Sequence, residues 1–307
     1  MLRARRHDAP ESGLALRLMG ATQYLALSGA APQLARCYDD VGVELDDVWS
    51  TFSGTVEHFQ HELRELVLRP VQTNEVGRSA ALVGGFLLVA QQTGLPLHLL
   101  ELGSCAGLNL LWDHFRYEAA GVAWGEATSP VRLCPHYEGA PPPFGVDAAV
   151  VERRGCDAAP VDPRSEEGQL TLRSYVWPDQ RERIQRLESA WSLVERLPPV
   201  PVDRASADAW LVDQLGRPAS SVATVVFHSI VMQYLTRRAR ERVEKTIARR
   251  GRLASRSAPL AWLRMEPAGE TYHVRLTLWP GGRDALIATA GEHGSPVRWL
   301  AGAAHDR

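Results

Sequence analysis

The chain has 307 residues, with 34 basic and 36 acidic side chains and 45% hydrophobic residues. That length leads to an expectation of two domains, or one large domain with an appendage, and the composition excludes a disordered, collagen-like or disulfide-stapled chain. A net charge of −2 leaves no electrostatic footprint for nucleic acid or an anionic membrane, so a small-molecule partner is expected.

All but one (Lys245) of the basic residues are arginine, which reflects base composition and carries no functional reading by itself. The opening MLRARRHDAPESG is basic but meets Asp8, Pro10 and Glu11 before any apolar region, so no signal peptide is expected. The longest strongly apolar run, residues 80–90, is too short to cross a bilayer as a helix. Cys37, Cys105, Cys134 and Cys156 form no C-x-x-C pair and no metal-ligand spacing. Free thiols in a reducing cytoplasm, and no metal site, are the expectation.

In chain order, residues 14–94 read as helices. Leu14, Leu18, Ala21, Tyr24 and Leu25 share one helical face, and Trp49, Phe52, Val56 and Phe59 share another. A third helix is predicted over 74–93, stopping at Gly94-Leu95-Pro96. At Leu97 the texture changes: LHLLEL (97–102) is a strand, Gly-Ser-Cys-Ala-Gly a turn, and LNLLWDHF a helix by its spacing. Residues 117–149, rich in Pro and Gly, read as an insertion of loops and short strands. AVVERRGCD (149–157) is the next strand, and 177–197 an amphipathic helix burying Ile184, Leu187, Trp191 and Val194. VATVVFHS (222–229) is a buried strand, followed by a helix over 236–250 and strands at 258–266, 272–279 and 285–291. The expected fold class is therefore α/β. It is a Rossmann-like, mainly parallel sheet flanked by helices, with an antiparallel edge and an N-terminal helical region. The expected division is a helical cap over 1–96 and a Rossmann-like domain over 97–307.

The sharpest local signal is ELGSCAGLNLL (101–111). An acid ends a strand, and Gly103 and Gly107 flank a tight turn whose free N–H groups are expected to face a pocket. This E-x-G-x-x-x-G pattern resembles the first motif of S-adenosylmethionine-dependent methyltransferases, often [DE]-x-G-x-G-x-G, with Cys105 in place of the middle glycine. The resemblance implies S-adenosylmethionine as cofactor, held by Glu101, Gly103, Ser104, Cys105, Gly107 and Asn109. RRGCD (153–157) resembles the second strand of that fold, which implies that Asp157 binds ribose hydroxyls; a structural reading makes it a turn residue. VDRASADAWL (202–211) resembles the third-strand motif near the adenine, with Ser206 where an Asp is usual. VVFHSIVMQYL (225–235) resembles the fourth strand, whose end faces both methyl donor and substrate.

RPVQTNEVGRSAALV (69–83), with Gln72, Thr73, Asn74, Glu75 and Arg78 ahead of an apolar helix, narrows the resemblance. Together with ELGSCAGLNLLWDHFRY, VWPDQ and VVFHSIVMQYL it is similar to a bacterial family known as a domain of unknown function. What this implies is a methyltransferase-like core with a helical N-terminal part. Asn74 or Thr73 could cap the helix, with Glu75 at its positive end; the functional reading has Glu75 and Arg78 facing the cleft. His228 is the candidate base, Tyr234 and Gln233 line the acceptor pocket, and Trp112, Tyr117 and Trp177 are candidate aromatic walls.

Two further classes stay open. The turn also reads as G-x-C-x-G, a nucleophile elbow with cysteine in the serine position, and Cys105, Glu266 and His293 stand in the chain order of an α/β-hydrolase. The third class is a non-catalytic nucleoside-binding protein on the same core.

Overall fold

The structure is a computed structural model that describes residues 13–39, 42–216 and 220–301. The first twelve residues of the basic opening stretch lie outside the described residues. The helices are α1 (Leu14–Leu27), α2 (Pro32–Asp39), α3 (Leu45–His58), α4 (Gln60–Leu66), α5 (Ser79–Thr93), α6 (Glu166–Arg173), α7 (Arg181–Arg196), α8 (Ala207–Gln214) and α9 (Arg237–Gly251). The strands are β1 (Leu97–Leu102), β2 (Arg116–Ala119), β3 (Val122–Gly125), β4 (Arg132–Leu133), β5 (Tyr137–Glu138), β6 (Val150–Asp157), β7 (Val202–Arg204), β8 (Ala223–Ser229), β9 (Leu260–Ala268), β10 (Thr271–Trp279), β11 (Arg283–Ala290) and β12 (Val297–Trp299). The described residues form two compact units. One joins the stretch up to Thr73 with Val161–Leu187; the other joins Asn74–Pro160 with the stretch from Glu188 onward.

The helical unit packs around Ala21, Leu25, Leu34, Leu63 and Val67, with Leu14, Leu18, Phe52, Val56 and Phe59 against them. The apolar stripe of α1 thus does what its spacing predicts, burying one face and leaving Leu16 and Met19 outward. Trp49 is the exception on α3, 67% exposed and stacked on Phe52. Residues 161–187 return to this unit by polar contacts: Gln23 Nε2 donates to the Val176 carbonyl at 2.6 Å, and the Tyr175 hydroxyl to the Pro70 carbonyl at 3.2 Å.

The second unit is built on a nine-stranded sheet in the order β5-β12-β11-β10-β9-β8-β1-β6-β7. The run β7-β6-β1-β8-β9 is parallel, and β10, β11 and β12 follow as an antiparallel meander on one side. Counted along the chain, the parallel strands stand third, second, first, fourth and fifth, the doubly wound order whose switch point lies between β1 and β8. Leu100, Leu102 and Val226 pack on one face with Trp210 and Leu211 of α8 and Val243 and Ile247 of α9. The other face is covered by α5, where Phe86 stacks on Trp112 (4.4 Å) and meets Phe227 edge-on (5.1 Å). Burial of each such side chain stabilises the fold by about 1.5–3 kcal/mol. Gly85 lets α5 lie this close, because a Cβ there would overlap Leu263.

The segment after Gly107 departs from expectation. Residues 108–114 form a short 3-10 helix, broken in conformation at Leu111 (φ −97°, ψ 15°), rather than an α-helix. Tertiary contacts override the helical spacing: the Asn109 amide donates to the Glu75 carbonyl, and the Trp112 carbonyl accepts the Tyr117 hydroxyl. Trp112 and Tyr117 are fully buried, so they fill the core rather than wall a pocket. β2, β3 and β4 make a separate three-stranded sheet within the Pro-rich stretch.

Candidate functional site

In an open parallel sheet, ligands sit beyond the carboxyl ends of the strands at the switch point. Here that place is formed by the ends of β1, β6, β8 and β9. The glycine turn after β1 has Gly103, Cys105 and Gly107 in left-handed conformation (φ 67°, 54° and 74°). Ser104 sits over β6 only because Gly155 has no side chain; a Cβ there would overlap the Ser104 hydroxyl, which donates to the Glu101 carbonyl at 3.0 Å.

The N–H groups of residues 104–108 are all spent inside the protein, which corrects the expectation that they face a pocket. Ser104 N donates to the Cys156 carbonyl (3.0 Å) and Gly107 N to the Ser104 carbonyl (2.8 Å). Cys105 N donates to Asp157 Oδ2 (3.0 Å), while Ala106 N and Leu108 N share Asn74 Oδ1 (3.2 and 3.1 Å). Asn74 therefore caps the glycine turn instead of the helix that follows it in sequence. Glu75 performs that second task, accepting Gly77 N on Oε1 at 3.0 Å as the N-cap of a 3-10 turn over Val76–Arg78.

What the turn leaves open is acceptors. Glu101 is 3% exposed, and its Oε2 has no hydrogen-bond partner. Burial pushes its pKa well above the ordinary carboxyl range; Asp157 adds to this, whereas Ser104 and Arg78 oppose it. Asp157, half-buried, uses Oδ1 for Ala159 N (2.8 Å) besides holding Cys105. Arg78 is buried, with Nε on the Glu292 carbonyl (3.1 Å) and a terminal nitrogen on the Ser229 carbonyl (3.3 Å). Asn109 links the parts, receiving Ser79 Oγ at 2.8 Å. Glu101, Gly103, Ser104, Cys105, Gly107, Asn109, Asp157, Glu75 and Arg78 are thus brought to one place.

Ser206 is not among them. It stands exposed at the N-cap of α8 with no side-chain cap bond, and the acid of that strand, Asp203, is bound by both Arg154 (2.6 and 2.7 Å) and Trp210 Nε1 (2.7 Å).

His228 is fully buried at the end of β8, on the sheet face of α8 and α9. Its Nε2 lies 3.0 Å from Trp262 Nε1, which can only donate, so Nε2 accepts and the proton sits on Nδ1. Nδ1 in turn lies 2.7 Å from Glu266 Oε1. As folded, the ring offers a substrate neither lone pair nor proton. The same Glu266 oxygen also accepts Val231 N and Met232 N (3.0 and 3.2 Å), pinning a loop that turns through Ile230 at φ 55° and rests Val231 on Gly103. Burial raises the Glu266 pKa, but the His228 hydrogen bond and the two loop N–H groups outweigh it and hold the carboxyl below its usual range. Tyr234, 42% exposed, lies in this loop's 3-10 turn. Trp262 escaped the sequence reading, Asn74 entered it only as a cap for the helix that follows it, and Glu266 only as a hydrolase acid, its signal being an acid at a strand end.

Cys105, Glu266 and His293 are not joined as a relay. Glu266 belongs to His228, and His293 Nδ1 lies 3.5 Å from Glu75 Oε2. Burial and the charge of Asp157 push the Cys105 thiol well up. A groove of about 860 Å³, lined by Pro96, Asp113, Trp124 and Phe144 among others, opens at the opposite, amino ends of β1 and β6. Among the described residues, no helix is long and apolar enough to cross a membrane, and no group of three His, Cys, Asp or Glu side chains could hold a metal ion.

Comparison with known families matches residues 1–299 to one described as "Uncharacterized protein conserved in bacteria (DUF2332)". Comparison with curated proteins and with solved structures finds no match.

Proposed function

We propose that this chain, which belongs to the bacterial DUF2332 family, binds S-adenosylmethionine at the carboxyl ends of β1 and β6 and transfers its methyl group to a small acceptor. The observation that carries the reading is the buried, unpartnered Glu101 Oε2 at the end of β1. A buried carboxylate oxygen without a donor costs stability, and a ligand that supplies the donor recovers it. The chemistry of the groups present fits this cofactor better than a dinucleotide. A pyrophosphate needs backbone N–H donors, and this turn has consumed its own. A methionine amine and ribose hydroxyls need acceptors, which Glu101 and Asp157 supply. Arg78, the cation beside Glu101, is suited to the methionine carboxylate.

When bound, the sulfonium supplies a methyl group that is already activated, so the protein's task is alignment and exclusion of water. Gly103 and Val231 close the turn from above. Glu266, with Oε1 saturated and Oε2 free of any hydrogen bond, is the group that can take a proton from an acceptor, and His228 positions it.

Isothermal calorimetry on the full chain tests this. Micromolar binding of S-adenosylmethionine or S-adenosylhomocysteine is expected, weakened at least tenfold in Glu101→Gln. Binding of neither ligand, or equal binding by the variant, overturns the reading. Binding without transfer to any acceptor makes the chain a nucleoside-binding protein.

A further inference from the structure

Helix α9 carries its cations on one side. Arg238, Arg242, Lys245, Arg249 and Arg252 follow one another at steps of four and three residues, which stacks them on a single face, and all five are exposed. One acid, Glu241, lies at the edge of that face, three residues after Arg238 and four before Lys245, and Glu244 is turned away from it. The row spans about 21 Å of helix axis, one positive charge every 5 Å or so. Arg242 is shared with Asp208 (3.1 Å) and Lys245 with Glu241 (3.6 Å). The side chains of Arg238, Arg249 and Arg252 make no hydrogen bond or ion pair among the described residues. Thr236 caps the helix, accepting Ala239 N on its hydroxyl, so the row starts at the carboxyl edge of the sheet. The opposite face, with Val243, Thr246, Ile247 and Gly251, is buried against the sheet.

We propose that this face of α9 docks the phosphate backbone of duplex nucleic acid without reading its sequence. Charge complementarity supports it: a duplex strand presents one negative charge per about 3.4 Å of axis, and neutralising phosphates needs only placed cations. The other polyanionic partners need something the face lacks. A membrane-surface helix needs an exposed apolar side, and the apolar side of α9 is turned inward. A protein partner needs apolar or aromatic anchors at the centre of its interface, and the row contains none. A single strand needs stacking platforms, also absent from the row. The proposal is independent of the cofactor reading, which concerns the strand ends.

Fluorescence anisotropy of labelled 20-base-pair DNA and RNA duplexes with the full-length protein tests it. Micromolar binding is expected at 50 mM salt, with log K falling against log salt at a slope between about −2.7 and −4.5 for three to five neutralised phosphates. The triple variant Arg238→Glu, Arg249→Glu, Arg252→Glu should lose at least tenfold in affinity and keep its melting temperature. The variant Arg64→Glu, Arg283→Glu, Arg298→Glu makes the same change in net charge on exposed arginines elsewhere and should bind as the wild type does. No binding at 50 mM salt, equal loss in both triple variants, or binding to phosphatidylglycerol vesicles without binding to duplex overturns the proposal.

Discussion

Glu101 is the residue whose surroundings are most at odds with its charge. With the carboxyl pKa raised on folding, the folded state holds a proton that the unfolded chain releases above about pH 4.5. This contribution to stability is fully present below that pH and is lost as pH rises toward the folded-state value. Glu101→Gln should therefore be more stable than the wild type at pH 8 by about 1–3 kcal/mol in urea unfolding, with the difference closing near pH 4. A constant difference across that range would contradict the assignment. Glu266 has the reverse sign: its lowered pKa contributes stability above about pH 4.5 that disappears as pH falls through the folded-state value. His228→Leu removes the donor to Glu266 Oε1 and the acceptor of Trp262 together. A loss of about 2–4 kcal/mol is expected, with the acid limb of the stability curve moved to higher pH. An unchanged acid limb would mean that His228 does not hold Glu266.

At the scale of elements, the glycine turn depends on a residue some thirty positions upstream. Asn74→Ala leaves the Ala106 and Leu108 amides without their acceptor. It should cost about 1–3 kcal/mol, and hydrogen exchange at those two amides should rise at least tenfold; Asn74→Asp, which keeps the oxygen, should restore protection. Exchange unchanged in the alanine variant would show that the turn is held otherwise. Strands at 97–102, 149–157 and 222–229 and the helix before β9 were legible because burial and period coincide there. The 3-10 stretch after Gly107 was not, because Asn109 and Trp112 answer to Glu75, Tyr117 and Phe86 rather than to their chain neighbours. In the site, Glu101 and Asp157 could be found as acids at strand ends. The pairing of His228 with Glu266, 38 residues apart, could not, since parallel neighbours β8 and β9 meet only through a crossover helix.

For the whole molecule, net charge is the quantity the tertiary structure reinterprets most. A total of −2 averages over a helix face that carries five cations, and a sum over residues holds no information about which of them share a surface. The arginine row becomes visible only when α9 is known to be a helix and its apolar side known to be buried. Composition and periodicity determined the α/β class, the mainly parallel sheet and the place of the glycine turn, because these follow from short-range spacing. The spent N–H groups of that turn, the orphan oxygen of Glu101, the tautomer of His228 and the return of Val161–Leu187 to the N-terminal helices were decided by the tertiary structure alone. Each depends on partners brought together across long separations, and a hydrogen-bond ledger closes only when those partners are in place.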